Sequence, residues 1–285
     1  MNASQNLFLG RTVVIATMHG KEQVIAPRLE AAFGLRSEVL SGLNTDRFGT
    51  FTREVKRPGD QLETLRKKAS AALKLSDHDL VIASEGSFGM HPSVPFGPSN
   101  SEMVLLLDRR HGLEIIGRSL SSHTNVKGEW VTSVDEALVF ARQWGFPDHG
   151  VILRLHQHLP WMINKDIHDE KILSLSVQKF LRWPGVSKVF LETDMRAHQN
   201  PTRMKVIAEA TEDLIKHMGS SCPTCACPGF SVAGMRGWKS CQWCKNVTQV
   251  PLHEIWKCQR CSFEEFRMNG DGDTADPQWC ERCNP

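Results

Sequence analysis

The sequence predicts an α/β fold, a mixed sheet flanked by helices, with a small C-terminal zinc-ribbon-like module. Two observations predict the first part. Short β-branched runs, TVVIAT at 12–17, DLVIAS at 79–84, GVILRL at 150–155 and KVFLE at 188–192, are separated by stretches of helical period. Strands alternating with helices imply crossover connections and a partly parallel sheet. A third observation predicts the module: four Cys-x-x-Cys pairs, Cys222/Cys225, Cys241/Cys244, Cys258/Cys261 and Cys280/Cys283, occupy the end of the chain. The expected domains are 1–218, α/β, and 219–285, a cysteine-rich double zinc-ribbon-like module hinged at Gly219-Ser220-Ser221.

The elements follow in order. Thr12–Thr17 reads as a buried strand, and the turn Met18-His19-Gly20-Lys21 leads into a helix at 22–33, where Pro27 should delay its start or kink it. Residues 38–40 suggest a second strand, and the glycine-rich stretch 41–60 a loop. Leu62–Leu75 is rich in Ala, Leu, Lys and Arg and predicts a helix. The strand at 79–84 runs into Glu85-Gly86-Ser87-Phe88-Gly89, followed by a proline-rich loop at 91–100. Segments 103–108 and 113–120 frame Arg109-Arg110-His111-Gly112 as a hairpin. Ser133 followed by Glu136 forms a capping-box pattern for a helix at 133–144. A helix at 171–183 closes at Pro184-Gly185, and a long one at 201–218 begins with Pro201 in its first turn.

The whole-chain properties exclude several classes. A length of 285 residues, 40% hydrophobic and 23% charged content describe a globular protein, and a net charge of +2 exerts no global pull toward nucleic acid or anionic membrane. No apolar run is long enough to span a bilayer, and the first residues carry no basic segment followed by an apolar core. Cysteines grouped in pairs without a secretory signal point to metal in a reducing, cytoplasmic setting.

In the tail the pairs read in order as C-x2-C-x15-C-x2-C and C-x2-C-x18-C-x2-C, both spacings of four-thiolate zinc sites. Sequential pairing into two structural zinc ions is the expectation. An interleaved cross-brace is the alternative. Cys227 is expected to be a spectator. Seven basic residues from Cys222 onward (Arg236, Lys239, Lys245, Lys257, Arg260, Arg267, Arg282) balance seven acids (Glu254, Glu264, Glu265, Asp271, Asp273, Asp276, Glu281), a poor footprint for phosphate binding. Trp238, Trp243, Trp256 and Trp279 could stack on bases, but tryptophans in such modules more often shield thiolates or fill a small core. A metal staple or docking surface is favoured over nucleic-acid binding.

Three clusters in the α/β part could carry chemistry. At His19-Gly20-Lys21, backbone amides at a helix start beside a lysine can hold phosphate, although no Walker pattern is present. Glu85 follows a buried strand and could hold a divalent cation, with Glu63 as a second oxygen ligand and Arg66, Lys67 or Lys68 for phosphate; otherwise Glu63 and the basic run are a solvated helix face. Asp194, Arg196, His198 and Arg203 crowd the loop and helix start after the strand at 188–192, where the acids could equally just pair with the arginines. His156 and His158 flank Gln157 after a strand but lack a third ligand nearby.

Two resemblances rest on these segments. VIATMHGKE, FGTFTREVKRPG, ASEGSFG, ETDMRAHQNPTR and the terminal CxxCNP resemble a bacterial family known as a domain of unknown function with a cysteine-rich tail. Residues 11–120, with a G-K turn, E-x-x-R-K-K-A on the second helix and an acid after a strand, are similar to the inosine-triphosphatase and Maf-like nucleotide pyrophosphatases. In those families a lysine near the first turn and acids near the second helix and strand bind Mg²⁺ and triphosphate, which implies Lys21, Glu63 and Glu85 here. The usual first-turn asparagine is replaced by His19 or Gly20, and the double acid after the strand is reduced to Glu85. The resulting expectation is binding or Mg²⁺-assisted hydrolysis of a phosphorylated small molecule or nucleotide. The alternative is a non-enzymatic adaptor whose zinc module docks a protein or RNA partner.

Overall fold

The computed structural model describes residues 3–49, 59–92, 97–156 and 162–284. Segment 50–58 of the FGTFTREVKRPG motif, residues 93–96 of the proline-rich stretch, and Gln157 with His158 lie outside the described residues. The chain forms two compact units, Gly10–Ile215 and Met1–Leu9 with Lys216–Pro285. The second unit therefore includes the short helix α1 (Ala3–Phe8), whose Phe8 is fully buried.

In the Gly10–Ile215 unit, β1 (Thr12–Ala16), α2 (Glu22–Phe33), β2 (Arg36–Val39), α3 (Gln61–Leu75) and β3 (Leu80–Met90) come first. The helix α2 begins ahead of Pro27 rather than after it. A proline there removes only the bond to the Gln23 carbonyl, one turn from the helix start. Gly34, at φ 62°, caps its end with its N–H on the Glu30 carbonyl (2.9 Å). The helix α3 starts where the Asp60 side chain accepts from the Glu63 N–H (2.7 Å).

β3 is longer than expected. The Glu85–Gly89 stretch, expected to follow the strand, is part of it, because β4 (Pro98–Asp108) pairs with β3 residue for residue from Leu80↔Asp108 to Met90↔Pro98. A ladder partner satisfies backbone that the glycines and serines would otherwise leave as loop. With β5 (Leu113–Ser121) the sheet order is β2-β1-β3-β4-β5, parallel at β2-β1-β3 and antiparallel beyond. Its core packs α3, through Leu65, Ala69 and Ala72, on Val14, Val81, Ala83 and Leu105.

The second sheet of this unit corrects the expectation of parallel pairing in the middle third. Its strands are β6 (Gly128–Val131), β7 (Val151–Arg154), β8 (Ile163–Ile167) and β9 (Val189–Thr193), with α4 (Val134–Gln143) and α5 (Glu170–Leu181) between them. The order is β6-β9-β7-β8, and every neighbouring pair is antiparallel. Crossovers β6-α4-β7 and β8-α5-β9 do connect co-directional strands, but each leaves a gap that an opposite strand fills. Ser133 caps α4 as expected (3.2 Å to Glu136 N), whereas the Glu136 carboxylate accepts from the Thr132 N–H, one residue earlier than a capping box places it. The long helix α6 (Pro201–Gly219) runs from this unit across the unit boundary.

The cysteine-rich unit is built on a long hairpin of β10 (Ser231–Cys241) and β11 (Val247–Lys257), flanked by β12 (Glu264–Met268) and β13 (Thr274–Ala275) in the order β12-β11-β10-β13. No helix among the described residues is long and apolar enough to cross a membrane.

Candidate functional site

The chain leaves β1 toward β2 on one side, while β3 lies on the other, so the carboxyl end of β1 is a topological switch point, the place where open α/β sheets bind ligands. Pairing of β1 with β3 stops at Ala16↔Ala83, which leaves Ser84 and Glu85 beside the β1–α2 turn. Lys21, the residue just before α2, reaches across this gap and donates to Ser84 Oγ (3.0 Å). Only 7% of Lys21 is exposed, and among the described residues its ammonium has no carboxylate partner. Burial, and next the Arg203 guanidinium, push its pKa down to about 7.

Two buried ion pairs flank Lys21. Lys68, from the inner face of α3, binds the Glu85 carboxylate. Arg203, from the first turns of α6, donates Nε to Glu102 on β4 (2.7 Å) and NH1 to the Met195 carbonyl. Gly86 makes room for the second pair, since a Cβ there would collide with the Glu102 carboxylate and the Arg203 guanidinium. Three cations and two carboxylates thus share one buried region, with Lys21 the surplus charge. His19 and Gly20 form the outer lip. The His19 ring stacks on His198 (centroids 5.1 Å, 8° between planes), and Gly20 has φ +68°.

The remaining predicted residues fall into other roles. Glu63 is not brought to Glu85: it lies on the outer, exposed face of α3 and pairs with Lys67 (2.7 Å) one turn on. Among the described residues the set does not fit a two-carboxylate Mg²⁺ site, because Glu85 and Glu102 are each occupied by a cation. Asp194 is fully buried and held by Arg196, which also reaches Asp166 (2.8 Å). That is the acid–arginine pairing of a structured turn. His198 sits beside it, its pKa lowered by burial and then by Arg196. Sequence reasoning passed over Ser84 and Glu102, whose roles arise from pairing between β1, β3 and β4, with no local motif to mark them.

The eight paired cysteines form two groups, Cys222/Cys225/Cys258/Cys261 and Cys241/Cys244/Cys280/Cys283, with the sulfurs of each within 4.8 Å of one another. The pairing is interleaved, which corrects the sequential expectation. The register Ser231↔Lys257 and Ser240↔Val247 puts Cys258 at one end of the hairpin and Cys241 at the other, roughly 30 Å apart at about 3.3 Å per residue. Cys222 and Cys225 precede β10 and meet the knuckle that follows β11. β13, paired parallel with β10 at Ser240↔Thr274, carries Cys280 and Cys283 to the far end.

Nearest sulfurs in the groups stand 3.6 to 3.9 Å apart. Four thiolates around an ion at about 2.3 Å have tetrahedral edges of about 3.8 Å, so both groups could hold a metal ion. The knuckles share one backbone solution. The N–H of the residue after the second cysteine returns to the first cysteine's carbonyl in all four (Ala226, Lys245, Ser262 and Asn284, 2.8 to 3.1 Å), and the first three of these residues have positive φ. Cys227 belongs to neither group. It is buried, and its carbonyl accepts from Cys222 N (2.9 Å).

The model of a domain of unknown function, DUF6671, matches residues 68–285. The chain belongs to this family. The DUF6671 match takes in both cysteine groups and Lys68, Glu85, Glu102 and Arg203, while Lys21 precedes it. No curated protein matches the chain. A solved structure, that of protein VC0702 from Vibrio cholerae, aligns over 73% of this chain and 94% of its own at 10% identity and a TM-score of 0.31, a likeness too slight to bear on fold or function.

Proposed function

We propose that the Gly10–Ile215 unit of this DUF6671 protein binds a phosphorylated small molecule, with a nucleotide in that class, at the topological switch point between the ends of β1 and β3. The observation that carries this is Lys21: a buried ammonium at a helix start whose one hydrogen bond among the described residues goes to a serine. Among the described residues the ammonium keeps two spare donors and no carboxylate partner, which suits an anion, and the N–H groups opening α2 add a favourable dipole. Arg203 and Lys68 lie close behind it and raise the local potential. Mg²⁺-assisted hydrolysis would require a second oxygen ligand beside Glu85, and Glu63 faces away, so binding is the activity put forward here.

In the cysteine-rich unit we read the two four-thiolate groups as structural zinc sites, closed because all four ligands are protein, in a reducing compartment that keeps the thiols free. Calorimetric titration of the metal-loaded chain with inorganic phosphate, pyrophosphate and a panel of nucleoside triphosphates, each with and without Mg²⁺, tests the first reading. At least one phosphate-bearing probe should bind and lose its affinity in Lys21→Met. If no probe binds, or if Lys21→Met binds as well as wild type, the reading fails. Phosphate release in the same panel would extend it to catalysis.

A further inference from the structure

We infer that the outer face of α3 carries a second ligand site, for a small amphipathic anion: an apolar body with one carboxylate-like head. The site is a cavity of about 550 Å³ between α3 and the short turn Thr45–Phe48, a volume typical of small-molecule sites. Helical spacing makes the hollow. Glu63, Lys67, Ala71 and Leu75 form one i,i+4 row along this face, and Arg66, Ser70 and Lys74 form the next. The short side chains of Ser70 and Ala71 therefore leave a gap between two pairs of long ones. Phe48 walls the gap from the facing turn and is itself anchored, with Ala71, against the core beneath α3. Lys68 points from the opposite face of the same helix to Glu85, so this site is distinct from the one at Lys21.

The lining matches both halves of such a ligand. Phe48, Ala71 and Leu75 supply apolar surface, and Leu75 is left 58% exposed at the helix end, so covering it releases water at a gain. Four cations, Arg47, Arg66, Lys67 and Lys74, line the cavity against one acid, Glu63. The acids on this face are engaged. Glu63 pairs with Lys67 (2.7 Å), Glu114 holds Arg66 (2.6 Å), and Asp60 caps α3 through the Glu63 N–H (2.7 Å). Arg47 and Lys74 have no carboxylate partner among the described residues. The Arg47 guanidinium is held over the Phe48 ring (4.7 Å to its centroid), which joins a flat apolar wall to a cationic edge. Two of the four cations are already neutralised, so the cavity offers an apolar floor with two free charges rather than a cradle for a polyphosphate.

The test titrates the full, metal-loaded chain calorimetrically with octanoate and 2-naphthoate, the acyl and aryl forms of this chemistry, each against its neutral primary amide. At least one carboxylate should bind, and more tightly than its amide; the arm that binds identifies the body the cavity takes. Arg47→Gln/Lys74→Gln should weaken the carboxylate roughly 5- to 30-fold, the loss of two exposed ion pairs, and leave the amide unchanged. Ser70→Trp places a large side chain at an exposed helix position, fills the hollow, and should abolish binding of acid and amide alike. Phosphate probes that depend on Lys21 should bind this variant as they bind wild type, which separates the two sites. The inference is overturned if neither carboxylate binds, if each amide binds as tightly as its acid, or if the double glutamine variant retains wild-type affinity. Undiminished binding to a folded Ser70→Trp, shown by an unchanged urea midpoint, overturns it equally.

Discussion

Replacing Lys21 by Met should stabilise this protein while abolishing the proposed anion site. The ammonium is held at a pKa of about 7 against 10.5 for an unburied lysine. The folded value is depressed, so from about 7 to 10.5 the unfolded chain binds a proton that the folded chain does not. Stability from this group therefore rises with pH across that window, and the full penalty is present below it. The gap of 10.5 − 7 = 3.5 corresponds to about 4 to 5 kcal/mol at roughly 1.4 kcal/mol per pH unit. About 4 kcal/mol of it acts at pH 7 and about 2 at pH 9.

Methionine keeps most of the volume and removes the charge, so urea unfolding without ligand should show Lys21→Met more stable by about those amounts. Comparing the two proteins at each pH cancels titrations elsewhere. A Met variant less stable than wild type at pH 7, or an advantage that does not shrink by pH 9, would refute the reasoning. In the proposed function a ligand anion would supply the counter-charge that the described residues withhold, so the cost and the function reside in one atom.

Other consequences follow from the same geometry. Interleaved pairing predicts that Cys222→Ser/Cys258→Ser, which damages one group, retains one metal per chain, whereas Cys222→Ser/Cys241→Ser, which damages both, retains none; sequential pairing reverses the two results in metal analysis. Lys68→Met should cost about 3 to 5 kcal/mol in chemical unfolding because it strands the Glu85 carboxylate in a buried site, and adding Glu85→Gln should recover most of the loss. Gly86→Ala drives a methyl group into the Arg203–Glu102 pair and should cost about 1 to 3 kcal/mol, measurable as a lowered urea midpoint with an unchanged m-value. Glu63→Gln, in contrast, breaks only an exposed pair one helical turn long and should stay within about 0.5 kcal/mol of wild type.

Much of the architecture was legible in the chain because its signals are local. The β-branched runs at 12–16 and 80–84 and the Ser133 cap each act within a few residues, and their elements stand where the pattern puts them. β6 (GEWV) and β8 (INKDI) were missed because they are short and half polar, stabilised by neighbours distant in sequence. The extension of β3 through Glu85-Gly86-Ser87 escaped notice for the same reason: its ladder is supplied by β4, and no apolar alternation announces it.

The sequence by itself determined that eight cysteines act as four two-thiolate knuckles, since Cys-x-x-Cys folds its turn from four adjacent residues. It also determined that Lys21 opens a helix just after a strand. Only the tertiary structure decided which knuckles meet, because two 11-residue strands carry Cys241 and Cys258 to opposite ends of one hairpin. It alone decided that Lys21 faces Ser84 with no carboxylate partner among the described residues, that Glu63 turns away from Glu85, and that three tryptophans stay in water. The physical reason is common to all three. A knuckle or cap is closed by bonds within a few residues, whereas charge pairing and burial depend on segments tens to hundreds of residues apart meeting through sheet register.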